Sequence, residues 1–100
     1  MDNWSDNRLT VIGAKRLVQR FQQSTWAKAL GANHCELLEN SPGRFSCQFE
    51  TDNPPAESLM RLSRHWPTLT FLLDYEVPAK RVKGLAKAKA GALMDHCVTY

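Results

Sequence analysis

Arg44-Phe45-Ser46-Cys47-Gln48-Phe49-Glu50 and Leu69-Thr70-Phe71-Leu72-Leu73-Asp74-Tyr75-Glu76 both alternate apolar and polar residues at close to period 2. That pattern belongs to strands with one buried face and one wet face. On this reading Phe45, Cys47 and Phe49 look into a core with Phe71, Leu73 and Tyr75, and Ser46, Gln48 and Glu50 look out. Working outward, Asn7 to Ile12 is a third strand, closed by Gly13, with Arg8, Thr10 and Ile12 on its outer face. The period then changes. Ala14, Leu17, Val18 and Phe21 fall on one arc of a 3.6-residue repeat, which predicts a helix from about Ala14 to Gln23. Trp26 would point away from that stripe in an unbroken helix, so a bend or stop is expected near Ser24-Thr25.

His34 to Glu39 reads as a short strand. Pro42-Gly43 then presets a type II turn, which folds the chain back as a hairpin. Asp52 or Asn53 is placed to cap a second helix, with Pro54 and Pro55 in its first turn and Leu59, Leu62 and Trp66 on its buried side. Pro67 stops it. Strand, helix, strand, strand, helix, strand is the order of a ferredoxin-like βαββαβ two-layer sandwich, two helices on one face of an antiparallel sheet with strands one and three central. The expected domain plan is a single α+β domain over residues 1–100. It comprises a body at 1–77 and a basic C-terminal extension at 78–100 that forms a strand or a hairpin turning near Gly91.

Composition narrows the class. The chain is 43% hydrophobic and 23% charged over 100 residues, ordinary globular material too short to divide into two cores. No apolar run approaches the ~20 residues needed to span a bilayer. The first residues, Met1-Asp2-Asn3-Trp4-Ser5-Asp6, lack the basic and apolar blocks of a secretory signal, so a cytoplasmic location without membrane contact is expected. Cys35, Cys47 and Cys97 form no C-x-x-C pair and are read as free thiols, with Cys47 buried. Residues 1–76 carry eight Lys/Arg against nine Asp/Glu, whereas residues 77–100 carry Lys80, Arg81, Lys83, Lys87 and Lys89 against Asp95 alone. The net charge of +3 therefore resides in the tail.

The opening Asn3-Trp4-Ser5-Asp6-Asn7-Arg8-Leu9-Thr10-Val11-Ile12-Gly13 resembles the start of the YubB-like group, small phage- and plasmid-borne proteins of unknown function with a ferredoxin-like domain. Asn53-Pro54-Pro55, Trp66-Pro67, Tyr75-Glu76 and Gly84 are similar to later features of that group. Ser5 stands where the group usually has cysteine. The resemblance implies a fold and a mobile-element accessory context, and no catalytic residues.

His34-Cys35 and His96-Cys97 repeat a dipeptide of zinc ligands, yet neighbours on a strand point to opposite faces and zinc-finger spacing is absent. No metal or other cofactor is expected. A Cys-His nucleophile lacks a local signature, and Asp74 with Glu76 reads as a solvated pair. RNA recognition through the sheet face would need outward aromatics on the central strands, where Arg8, Thr10, Ile12, Ser46, Gln48 and Glu50 stand instead. The function expected is that of a non-enzymatic accessory module acting through protein association, with a foreign protein or with a second copy. Two alternatives stand beside it. One is a nucleic-acid-binding protein touching phosphates through Lys80, Arg81, Lys83, Lys87 and Lys89; the other is a small-ligand regulatory domain.

Overall fold

The computed structural model describes residues 4–100. Its elements are β1 (Ser5–Ile12), α1 (Lys15–Gln22), α2 (Trp26–Leu30), β2 (Asn33–Ser41), β3 (Arg44–Thr51), α3 (Ala56–His65), β4 (Thr70–Val77), a 3₁₀ turn (Pro78–Lys80), β5 (Val82–Lys89) and β6 (Ala92–Thr99). The strands form one antiparallel sheet in the order β2-β3-β1-β4-β5-β6. All three helices pack on the same face of it.

This corrects the expected two-helix ferredoxin-like βαββαβ sandwich: the sheet has six strands and the chain three helices. β1 and β3 are neighbours inside this sheet, and β5 and β6 extend it beyond β4. The cause lies in two stretches. Val82, Gly84, Ala86 and Ala88 face the helices from β5, and Ala86 and Ala88 are fully buried. Alanine is a helix former in isolation and gives a weak period-2 signal, yet its small side chain suits a strand beneath a closely packed helix. The second stretch is Gln23–Thr25. There the Ser24 hydroxyl donates to the Phe21 carbonyl at 2.6 Å, competing with the helical ladder. The helix stops, and α2 starts on a new axis that ends at Gly31 with φ 68°.

That break lets Trp26 turn inward. Its ring stacks on Phe21 at 5.7 Å and meets Phe45 and Phe49 edge-on at 5.8 Å each. Phe21 also meets Phe71 at 5.2 Å and Trp66 at 5.5 Å between ring centres, so one side chain of α1 joins β4, α2 and the residue that follows α3. Phe45 and Phe49 are 5% and 1% exposed, under the helices. Aromatic pairs of this geometry contribute about 0.5–1.5 kcal/mol each beyond their burial.

One local expectation changes. Pro55, without a side-chain hydrogen bond, precedes α3, and neither Asp52 nor Asn53 caps it; the Asn53 carbonyl instead accepts the Thr51 hydroxyl. Trp4 is exposed. Asn7 and Ser5, by contrast, are buried. The Ser5 hydroxyl donates to Asn7 Oδ1 at 2.8 Å, and Asn7 Nδ2 donates to Thr51 Oγ1 at 2.9 Å. The polar groups at this end of the core are thereby satisfied. Asn3 of the same opening stretch lies outside the described residues.

Candidate interaction surface

The helix-free face of the sheet carries the outward residues of every strand, and the register sets them in rows. One row crosses the sheet as Gln48, Arg8, Asp74, Leu85 and His96. The row beside it runs Glu50, Asp6, Glu76, Lys83 and Val98, and on the other side come Ser46, Thr10, Leu72, Lys87 and Met94. Each follows from period-2 alternation and in-register antiparallel pairing. Arg8, Thr10, Ile12, Ser46, Gln48 and Glu50 thus share the outer face with Asp74 and Glu76.

Two adjoining hollows lie on this face, of ≈ 550 Å³ and ≈ 430 Å³. The side chains of Arg8, Asp74, Leu85 and His96 line both. The larger hollow is also lined by Asp6, Glu76, Lys83 and Val98 of the adjoining row. Leu85, Met94 and Val98 are 57%, 61% and 66% exposed. Together they make an apolar strip over β5 and β6 on a surface that otherwise carries both signs of charge.

Electrostatics differ along the face. Asp6 pairs laterally with Glu50 and with Glu76, and its carboxyl is held above its ordinary 3.8 by burial first and by those two carboxylates second. The Tyr100 hydroxyl donates to Glu76, which raises the phenol's own pKa. Thr10 Oγ1 and Ser46 Oγ share a hydrogen bond at 3.0 Å, a neutral contact in the middle of the face.

The five cations proposed for phosphate contact do not form one patch. Lys83, Lys87 and Lys89 project from the outer face of β5, with Glu76 directly across from Lys83. Lys80 sits in the 3₁₀ turn, and Arg81 (φ 54°) places its guanidinium over the Tyr100 ring at 5.6 Å. Among the described residues the ion pairs are Arg44–Glu39 and Arg61–Glu57, both at 3.0 Å and both exposed.

The dipeptides weighed as metal ligands are kept apart by topology. His34-Cys35 lies on β2 and His96-Cys97 on β6, opposite edges of the sheet. Cys47 is buried at 2% exposure, and that burial, with Cys35 nearby, pushes its thiol up to about 12. A thiol so placed stays protonated at neutral pH and is a poor nucleophile.

Sequence reasoning missed Tyr75, Gly84 and Asp95 as a unit. The Tyr75 ring lies flat over Gly84, where any Cβ would meet it at 2.0 Å. Its hydroxyl reaches across β5 to donate to Asp95 Oδ1 at 2.7 Å. Burial first, then this hydrogen bond, raises the phenol pKa well above its ordinary value. A glycine opposite a tyrosine was the available signal, but it becomes informative only once β4 and β5 are known to pair in that register. Comparison of the chain with family models, with curated proteins and with solved structures gave no match.

Proposed function

We propose that this protein is a non-enzymatic accessory module whose outer sheet face docks a protein partner. The observation that carries the reading is the exposed strip Leu85, Met94 and Val98 beside Arg8, Asp74, Lys83 and Glu76, which mix both signs of charge across two adjoining rows. Exposed apolar groups rimmed by both signs of charge suit a protein surface, where charge pairing sets orientation and apolar contact supplies affinity. A nucleic-acid surface would favour an unbroken basic stripe, and here Glu76 and Asp74 interrupt the lysines. The likeness to the phage- and plasmid-borne YubB-like group supports an accessory role.

The test is capture from a host lysate with the native chain and with an Arg8→Glu/Leu85→Ser variant, each with and without nuclease. A protein retained by the native chain after nuclease treatment, and lost by the variant at unchanged thermal stability, is the expected result. Retention that disappears with nuclease, or that the variant preserves, overturns the reading. A hollow of ≈ 550 Å³ is also within the size of small-ligand sites, but its open position across the sheet suits a broad protein contact better.

A further inference from the structure

The two edges of the sheet are built differently. β2 shifts register twice, between Asn33 and Glu36 and between Leu37 and Glu39, carries two glutamates, and holds His34 at φ 55°. Bulges and charges of this kind are how a sheet edge resists pairing with another chain. β6 has none of these devices. It pairs with β5 in unbroken register from Ala92 to Thr99, and Asp95 is its one charged side chain apart from His96.

Which backbone groups of β6 are free follows from the turn. Lys89 pairs with Ala92 across the two-residue turn Ala90-Gly91, at φ 51° and 83°. Such a turn makes the flanking pair the one that exchanges hydrogen bonds. Even-numbered residues of β6 therefore bond to β5, and the Tyr100 N–H donating to the Arg81 carbonyl at 2.8 Å keeps the same parity. The N–H and C=O groups of Leu93, Asp95, Cys97 and Thr99 point away from the sheet.

We infer that β6 pairs antiparallel with β6 of a second copy, about a two-fold axis normal to the sheet at His96. This deepens the association reading above, on which it rests, by naming one partner and the surface it uses. In this register the outward groups of Leu93 and Asp95 meet those of Thr99 and Cys97 of the second copy, closing about eight ladder hydrogen bonds. Met94 lies opposite Val98 of the second copy on the outer face, an apolar cross-strand pair formed twice. No carboxylate faces a carboxylate. A shift toward the chain start by one pair would set Asp95 against Asp95, and a shift the other way shortens the overlap. The helices of both copies then lie on one side, and the two outer faces adjoin as one surface.

Sedimentation equilibrium of the full chain over a dilution series tests this. The native chain is expected to dimerise reversibly. Cys97→Pro removes one outward N–H while leaving the ladder to β5 intact, as proline on an edge strand can, and is expected to weaken dimerisation at least about tenfold. His96→Cys, in a chain with Cys35→Ser and Cys97→Ser, places two thiols opposite each other and is expected to cross-link under mild oxidation. Met94→Cys in the same background is expected not to. A native chain that stays monomeric at the top of the series overturns the inference, as does a dimer that ignores Cys97→Pro or cross-links equally through Met94→Cys. The outer-face capture experiment reads separately: a monomer that still captures a protein through Arg8 and Leu85 sinks β6 pairing alone.

Discussion

Asp6 shows how a single side chain registers the fold. Its folded-state pKa is raised by burial and by the Glu50 and Glu76 carboxylates on either side. For an acid, a raised folded pKa means that ionisation costs the folded state stability. The cost is fully present above that pKa and is relieved as the pH falls through it toward the ordinary 3.8. Asp6→Asn is therefore expected to melt at higher temperature than the native chain at pH 7, with the advantage closing near pH 4. Thermal melts at several pH values check it; a pH-independent difference would show that the substitution acts by packing instead. The strand expected from the sequence began at Asn7 and left Asp6 without a face; in the structure β1 starts at Ser5 and Asp6 lies on the outer side. Its two acidic neighbours come from strands far away in the chain, and no local pattern could have named them.

At the scale of elements, the terminal hairpin is tied to α3 by one buried hydroxyl. Ser63 is fully buried; its Oγ donates to the Met60 carbonyl at 2.6 Å and accepts the Gly91 N–H at 2.9 Å. Gly91 itself has φ 83°, and a Cβ there would press on the Arg64 side chain at 2.8 Å. Ser63→Ala leaves the Gly91 N–H without its partner and is expected to cost about 1–3 kcal/mol. The added opening should concentrate at the β5–β6 turn, which amide hydrogen exchange can read residue by residue. Uniform loss of protection across the sheet would instead mark Ser63 as a general core residue. Sequence periodicity favoured Leu59, Leu62 and Trp66 for the buried side of α3. Leu59 is fully buried, whereas Leu62 and Trp66 are only partly so. A serine on that side reads as a blemish in the pattern until the turn that it holds is seen.

Across the whole molecule, one apolar cluster gathers residues from β1, β3, β4, β5 and all three helices, with Leu93 of β6 packed against it. A core shared this widely predicts a single cooperative transition that includes the C-terminal hairpin. Denaturant unfolding followed by tryptophan fluorescence, with Trp26 buried and Trp66 partly so, should coincide with loss of strand signal in circular dichroism. An earlier circular-dichroism loss would show β5 and β6 unfolding as a separate unit. No helix in the described residues is long and apolar enough to cross a membrane. By itself the sequence determined strands at 44–51 and 69–77, within a residue of those observed, the inward aim of Phe45 and Phe49, and the outward set from Arg8 to Glu50, because alternation of side chains is a local property of extended backbone. The sequence also marked a break near Ser24-Thr25 and a terminal strand or hairpin near Gly91; tertiary structure alone decided that the alanines of β5 lie under the helices, that Trp26 turns in onto Phe21, and that Tyr75 crosses Gly84 to Asp95. Those outcomes depend on which distant surfaces meet, and small or polar residues take a meaning from their neighbours that their own spacing does not carry.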